Sequence, residues 1–488
     1  MEITEGELHK LVKRADVVDK HTGFAAPAGE LFADSLLTHH NGWPLTVPAG
    51  RVRRKQSAGL RNLGNSCFLN ATLQCLAHAP PLLHALLLSH HSASCQVARH
   101  NASGQKKLTC FVCIAERLFL KMSVATTPQS EASVMAPRSV FSRLERMSHG
   151  ALQQGAQEDA HEFLRCLLEQ VHEHSLPRAL RAPPGKQPKI KASERLKETS
   201  LVHRVFGGYL ASSVQCSECK HASHKFDAML DLSLELPSHK KKPLTLHRCL
   251  QHFTAPDILD GDNKYRCSQC DRKVRAEKRM SIFHPPRVLT VHLKRFRQSP
   301  FALFGGGKQR FFGRQKFKKQ FKHKHNNNNN NNNSNNNNNN KKNKNKNKNK
   351  KKRQRVQMLE MRDVEMDLHM DMDSDSDDDL WDSMMGGRSG GGKIGTHVKF
   401  PLALDVGEFL TVRRGSVKYE LSGLVEHRGS SMGFGHYVAY VRRNGDQWFL
   451  MDDSCVTRVS TQEVLRVQAY LLFYRRVDHV DVPLAQSS

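Results

Sequence analysis

Residues 305–355 hold 18 Lys or Arg and no Asp or Glu, around an almost unbroken Asn tract from Asn326 to Asn340 and a Lys-Asn alternation from Lys341 to Lys350. Residues 360–382 then carry 11 Asp or Glu against one Arg, and a Gly-rich stretch, Gly386 to Gly395, follows. A segment of this composition has too few apolar side chains to offset the entropy of ordering it. It predicts a disordered insertion over residues 305–395, with opposed charge blocks, so whatever folds must be built from the sequence on its two sides. Strand-like runs resume after it at Tyr437-Val-Ala-Tyr-Val, Trp448-Phe-Leu-Met and Tyr470-Leu-Leu-Phe-Tyr. The insertion therefore interrupts one sheet-bearing domain and does not separate two.

On the N-terminal side, residues 1–56 end in the basic run Arg51, Arg53, Arg54 and Lys55 and read as an extension; residues 477–488 read as a tail. Between them, 57–476 form the predicted domain. Its first half is helical in pattern: Leu69, Leu73 and Leu76 share one helical face, as do Phe163, Leu167 and Gln170 after Asp159. From Val202 the period changes to two, as in Asp231-Leu-Ser-Leu-Glu-Leu and Val288-Leu-Thr-Val-His-Leu. Helices followed by sheet predict an α+β fold. The formal net charge is +28, and it falls only to +20 without residues 305–382, so the folding part is basic too. The Met1-Glu-Ile-Thr start lacks an apolar signal region, and Leu82 to Leu88 falls far short of the roughly 18 residues of a membrane span. A soluble intracellular protein without membrane contact is expected. In that setting 12 cysteines point to reduced thiols, metal ligands or a nucleophile.

One cysteine stands where a reactive thiolate is wanted. In Gly59-Leu-Arg-Asn-Leu-Gly-Asn-Ser-Cys67-Phe-Leu-Asn-Ala-Thr-Leu-Gln-Cys-Leu, a Gly/Asn turn delivers Cys67 to the first turn of an apolar helix. Unpaired N–H groups and the positive end of the helix dipole favour a thiolate there, and a nearby imidazole favours it further. A cysteine beside a helix is more often a small core residue, so Cys67 needs a base. The candidate is His436, which opens a strand in Gly433-Phe-Gly-His-Tyr-Val-Ala-Tyr. Phe449-Leu-Met-Asp452-Asp453-Ser ends the next strand across an Asn444-Gly-Asp turn, so a hairpin sets an Asp beside the His. A carboxylate there fixes the imidazole tautomer and stabilises the imidazolium.

Cys216-Ser-Glu-Cys219 and Cys267-Ser-Gln-Cys270 are two C-x-x-C knuckles, separated by enough chain for a β-ribbon to bring them together around a tetrahedral, structural zinc. A closed four-thiolate shell leaves no position for an activated water, which disfavours a metallohydrolase. A third cluster, His91, Cys95, Cys110 and Cys113, reads two ways: a second zinc site, or buried cysteines one helical turn apart that need no metal.

These segments together resemble the ubiquitin-specific protease family. Gly59 to Leu76 is similar to its Cys box and Tyr419 to Arg476 to its His box; Gln157-Glu-Asp-Ala-His-Glu-Phe and Val291-His-Leu-Lys-Arg-Phe match two further motifs in the expected order. Phe206-Gly-Gly-Tyr-Leu and Asp257-Ile-Leu-Asp-Gly-Asp-Asn-Lys-Tyr resemble most the group of nucleolar ubiquitin carboxyl-terminal hydrolase 36. The resemblance implies a papain-like cysteine protease fold with a helical thumb, a β palm and zinc-bearing β fingers, and hydrolysis at the C-terminal glycine of ubiquitin through a thioester. By position it makes Cys67 the nucleophile, His436 the base, Asp452 the third triad member with Asp453 its alternative or helper, and Asn62 the oxyanion donor. Asn62 is equally at home as a turn residue. The resemblance implies no catalytic cofactor, and ubiquitin and ubiquitinated proteins as partners. Two other classes compete: a ubiquitin-binding module that has lost catalysis, and a basic zinc-binding protein acting on nucleic acid. The basic insertion suits nonspecific phosphate contact and nuclear or nucleolar residence.

Overall fold

The computed structural model describes residues 52–53, 58–89, 91–97, 108–125, 134–176, 200–237, 243–296, 392–412, 415–443 and 447–477. Most of the N-terminal extension, the insertion up to residue 391, the Asn444-Gly-Asp turn and the tail beyond Val477 lie outside these residues. All described residues fall in one compact unit, Met1–Gly305 together with Gly390–Ser488.

The first part is helical, with α1 (Cys67–Ala77), α2 (Pro80–Ser89), α3 (His91–Ser94), α4 (Phe111–Ser123), α5 (Ala160–Ser175) and α6 (Leu201–Phe206). The leucine spacing in α1 predicts one apolar face, yet every residue of α1 is buried. It is the central helix, and its polar side chains are accommodated internally: Thr72 Oγ1 donates to the Phe68 carbonyl at 2.8 Å and Gln74 Nε2 to the Ala58 carbonyl at 2.8 Å. The helix α5 is amphipathic as its pattern predicts, burying Phe163, Leu164, Leu167, Leu168 and Val171. Asp159 caps it, accepting from the Glu162 N–H at 2.9 Å.

Strands follow: β1 (Gly208–Cys216), β2 (Ala222–Met229), β3 (Leu232–Leu234), then helix α7 (Leu246–Thr254), β4 (Asp257–Leu259), β5 (Tyr265–Cys267), β6 (Arg272–Val274), β7 (Ala276–His284) and β8 (Val288–Leu293). Beyond the insertion come β9 (Ala403–Asp405), β10 (Lys418–Ser431), β11 (Phe434–Arg443), β12 (Gln447–Asp452), β13 (Cys455–Val459), helix α8 (Thr461–Leu465) and β14 (Ala469–Arg476). The palm is an eight-stranded sheet of order β13-β12-β11-β10-β14-β8-β3, with β9 on β10. Only β8 and β3 pair in parallel within it. The fingers are a four-stranded ribbon, β2-β1-β7-β4, with the small β5-β6 hairpin beyond.

Strand β8 from before the insertion pairs with β14 from after it, Val291 opposite Leu472, so one sheet draws strands from both sides. The two ends of the insertion are also neighbours: Phe296 bridges antiparallel to Lys393. A buried arginine ties this junction down. Arg295 Nε donates to the Ala469 carbonyl at 2.7 Å and Nη1 to the carbonyls of Ile394 at 2.9 Å and Thr396 at 2.7 Å. No single helix among the described residues is long and apolar enough to cross a membrane.

Candidate active site and metal centre

Cys67 is the first residue of α1 and is delivered by a turn that only particular residues can make. Gly64 and Asn65 both adopt positive φ, +104° and +48°, the region glycine and asparagine tolerate best. The Asn62 side-chain oxygen ties the turn, accepting from the Gly64 N–H at 3.0 Å and the Ser66 N–H at 3.1 Å. Ser66 Oγ in turn accepts from the Leu63 N–H at 2.8 Å. Asn62 therefore does act as a turn residue, and that role uses its oxygen and leaves its NH2 group for other partners.

The other half of the site is the β10-β11-β12 meander. His436 lies on β11 and Asp452 ends β12; the His436 Nε2 to Asp452 Oδ1 separation is 2.7 Å. The Cys67 thiol acts on the imidazole from its other side, and that interaction, followed by the Asp452 carboxylate, raises the pKa of His436 to about 9 against the opposing effect of burial. With Nε2 on the carboxylate, Nδ1 is the nitrogen left for the thiol. Arg428 Nη1 approaches the far oxygen of Asp452 at 3.8 Å. Gly435, just before the histidine, has φ +155° and lies against the buried His427 ring, where a Cβ would come within 2.4 Å of His427 Nε2.

The two halves are joined at Asp453. This residue has φ +50° and its carbonyl accepts from the Leu60 N–H at 2.7 Å. Its carboxylate accepts from Asn62 Nδ2 at 2.8 Å and from Asn70 Nδ2 at 2.8 Å. Backbone approaches so closely here that a Cβ on Gly59 would meet the Ser454 carbonyl oxygen at 2.3 Å. The adjacent carboxylates thus face different partners, Asp452 the imidazole and Asp453 two amides. Sequence reasoning left Asp453 as an undefined helper and passed over Asn70. The partners of Asp453 are separated from it by 391 and 383 positions, a relation no local pattern carries.

In the fingers the two knuckles converge. Cys216 Sγ lies 3.9 Å from Cys270 Sγ, and Cys219 Sγ 3.6 Å from Cys267 Sγ. A tetrahedron with zinc–sulfur bonds of about 2.3 Å has sulfur–sulfur edges of about 3.8 Å, so the donor set fits zinc. Each knuckle is followed by a residue at positive φ, Lys220 at +59° and Asp271 at +47°, which turns the chain back behind its two thiols. The thumb cluster also gathers: one donor atom from each of His91, Cys95, Cys110 and Cys113 lies within 4.8 Å of the others.

Comparison with known proteins assigns the chain. Residues 58–474 match the family model for ubiquitin carboxyl-terminal hydrolase. The chain belongs to the ubiquitin carboxyl-terminal hydrolase family. It is 31% identical over 461 residues to ubiquitin carboxyl-terminal hydrolase 23 of Arabidopsis thaliana, covering 94% of this chain and 40% of that protein. To probable ubiquitin carboxyl-terminal hydrolase 16 of Schizosaccharomyces pombe it is 28% identical over 461 residues, 94% of this chain and 74% of that protein. To human ubiquitin carboxyl-terminal hydrolase 42 it is 28% identical over 420 residues, 86% of this chain and 23% of that protein. The chain thus spans less than half the length of several curated relatives it matches. Among solved structures, the fold is that of the SAGA DUB module chain in the complex of Ubp8, Sgf11, Sus1 and Sgf73 bound to monoubiquitin, with a TM-score of 0.56 at 24% identity over 87% of this chain and 71% of that one. The α+β family fold is therefore the one observed.

Proposed function

We propose that this chain is a thiol-dependent deubiquitinase that hydrolyses isopeptide or peptide bonds at the C-terminal glycine of ubiquitin. The observation that carries the reading is the Cys67–His436–Asp452 constellation: a thiol at the start of α1 acting on an imidazole whose Nε2 is held by a carboxylate at 2.7 Å. Family membership supplies the substrate class, supported by the monoubiquitin named for the fold relative.

In this mechanism the thiol passes its proton to His436, and the Cys67 sulfur attacks the glycine carbonyl carbon. The resulting oxyanion accepts from the Asn62 Nδ2 group, which Asp453 holds in place from behind. Collapse breaks the carbon–nitrogen bond, and the leaving lysine amine takes the proton from His436. Water then adds to the thioester with its proton going to His436, and ubiquitin leaves with a free carboxylate as the Cys67 thiol is restored. Asp452 keeps the imidazole in the tautomer that does this work. Phe434, 78% exposed two residues before His436, offers an apolar contact for the incoming ubiquitin tail. The four fingers cysteines would hold a structural zinc that shapes the ribbon and takes no part in the chemistry.

On sequence grounds we extend the reading to the nucleolar group, to nuclear residence, and to nonspecific phosphate contact by Lys and Arg of residues 305–355. A ubiquitin bearing a C-terminal electrophile tests the central reading. Covalent capture that is lost in Cys67→Ala supports it, whereas tight ubiquitin binding with no capture by the unmodified chain would leave a binding module.

A further inference from the structure

Beneath the strand that carries His436 lies a second histidine that the mechanism does not use. His427 is on β10, opposite Tyr437 of β11, and is 1% exposed. Neither ring nitrogen has a hydrogen-bond partner in the protein among the described residues. The ring is held by shape instead: Phe296 meets it edge-on with centroids 5.2 Å apart, and Tyr437 does so at 4.6 Å. It also faces two glycines. A Cβ on Gly435 would come within 2.4 Å of Nε2, and one on Gly429 within 3.0 Å of Cε1. These glycines mark the place where the pairing of β10 with β11 slips. Arg428 is opposite His436, yet the next pair is Ser431 with Phe434, so Gly429 and Ser430 stand against Gly435 alone. A bulge of this kind re-aims the side chain beside it, and here that side chain is His436.

We propose that His427 is a positioning residue: its ring is the floor of this bulge and sets the height of the Gly435 backbone, and through it the aim of the His436 imidazole at Cys67. The inference rests on His436 being the base of the proposed reaction. An unprotonated ring nitrogen carries no hydrogen, so a backbone can settle closer to it than to the edge of a phenyl ring, and the Gly435 backbone uses that space in full. Nor is His427 a base in reserve. Alternate strand residues point to opposite faces, which puts its ring on the face away from the His436 imidazole. Burial, then the charges of Lys393 and His436, also push its pKa down to about 4.

The floor is itself anchored by the chain on both sides of the insertion. Lys393 Nζ donates to the His427 carbonyl at 2.5 Å, and the Lys393 N–H donates to the Ser430 carbonyl at 2.9 Å. Phe296, the bridge partner of Lys393, supplies the edge-on contact to the ring. Closing the sheet across the insertion requires none of these contacts to reach residues 427–430. Asp452 holds the imidazole of His436 by Nε2 and leaves the height of its backbone to this support.

Turnover of a ubiquitin substrate by the full chain and NMR titration of His436 test this together. His427→Ala should lower kcat by about 10²-fold, the scale of a misplacement of about 1 Å, with KM little changed. Its His436 midpoint should fall from about 9 toward the ordinary histidine range, because the displaced imidazole loses Cys67. Should that variant fail to fold, Lys393→Met keeps the test open by removing the donor to the His427 carbonyl. It should lower both kcat and the midpoint by less; loss of the lysine charge alone would raise the midpoint, so a fall reports the geometry. Gly435→Ala should be strongly impaired on its own and far less so beside His427→Ala, where the methyl group finds room. A folded His427→Ala protein with the kcat and midpoint of the unmodified chain would overturn the proposal. So would lost kcat with an unmoved midpoint, an unaltered Lys393→Met protein, or additive losses for the Gly435 pair. An unmodified chain that cleaves no ubiquitin would refute the enzyme reading itself; the His436 midpoint then decides the positioning alone, its fall in His427→Ala supporting it and its constancy overturning it.

Discussion

The proposed catalytic cleft and the fingers tip both depend on cysteine, and they use it in opposite ways. In the cleft one thiol meets one imidazole, which is backed by a carboxylate; the His436 and Asp452 side chains are 37% and 38% exposed, so a substrate can approach. In the fingers four thiols converge on one another, around a core of little more than Val274 and Tyr265. What decides whether a sulfur attacks or ligates is therefore the company it keeps. Cys75 makes the same point from within α1. Two turns beyond Cys67 and wholly buried, it has its thiol pushed far up by desolvation, and it packs as an inert core residue.

The comparison is broken most directly at the nucleophile. Cys67→Ala and His436→Ala should each lower turnover of a ubiquitin substrate by on the order of 10⁴-fold or more, because nucleophile and base act as a unit. Metal content should not change in either variant. Substantial turnover by purified Cys67→Ala protein would remove Cys67 from the mechanism.

From the other side, Cys216→Ser/Cys267→Ser should release one zinc and expose the β5-β6 hairpin, since so small a core cannot hold it without the ion. Hydrogen exchange at Tyr265–Val274 would report this. Cys67 should still react with a small alkylating agent at nearly the unmodified rate, and the cost should fall mainly on KM for ubiquitin substrates. Loss of alkylation as well would mean that the two regions fold as one.

Within the cleft, the two adjacent aspartates sharpen the contrast between orienting the base and orienting the oxyanion donor. Asp452→Ala should be the more damaging, since it frees the imidazole. Asp453→Ala should cost up to about 10²–10³-fold in kcat, the scale of an oxyanion-donor loss. Because Asp453 works through Asn62, adding Asn62→Ala to Asp453→Ala should cost far less than the single losses predict. Additive losses would show that Asp453 acts elsewhere, and a greater loss for Asp453→Ala than for Asp452→Ala would reverse the assignment.

The charge state of His436 gives a subtler test. Its pKa is raised to about 9, mainly by Cys67 and next by Asp452. A raised pKa means that the protonated imidazole persists through neutral pH and is lost as pH passes about 9, so the step that protonates the leaving amine should fail above that pH. By NMR, the His436 titration midpoint should drop toward the ordinary histidine range of about 6.5 in Cys67→Ala, and by less in Asp452→Ala. An unmoved midpoint in Cys67→Ala would show that the thiol does not set the charge of the imidazole.

What could be read in the sequence follows the same division. Cys67, His436 and the four fingers cysteines sit in short stretches whose proposed chemistry demands particular residues at particular spacing: a turn before a helix, a glycine-flanked strand, two knuckles. The alternation in Val288–Leu293 and the apolar run Tyr470–Tyr474 likewise foretold strands. Three features stayed hidden. The all-round burial of α1 depends on what surrounds it, and its leucine spacing looks like that of any amphipathic helix. The bonds of Asp453 to Asn62 and Asn70 link positions far apart in the chain. Arg295 looks like one more charge in a basic sequence, yet it is fully buried, with desolvation lowering its pKa to about 10, and it grips three carbonyls.

That arginine leads to the prediction with the smallest expected effect. Replacing residues 305–391 with a short Gly/Ser linker should leave fold and turnover nearly unchanged. The reason lies in the junction: Phe296 is bridged to Lys393, the Ile394 N–H donates to the Arg295 carbonyl at 2.7 Å, and Arg295 spans to Thr396, so both ends are held together by the domain itself. If the insertion is the entropic chain its composition implies, closing a shorter loop costs less, by about 0.6 kcal/mol for each halving of length. Cutting roughly ninety residues to about ten would then stabilise the domain by at most about 2 kcal/mol, a rise in melting temperature of a few degrees. The opposed charge blocks add a second, salt-dependent readout: interactions over more than about 10 Å are screened at 0.1 M salt, so any difference in turnover between the two forms should shrink as salt rises. A linker variant that fails to fold would show that residues 305–391 contribute structure of their own, whereas one that folds but loses turnover at every salt concentration would place part of the insertion in the catalytic cycle.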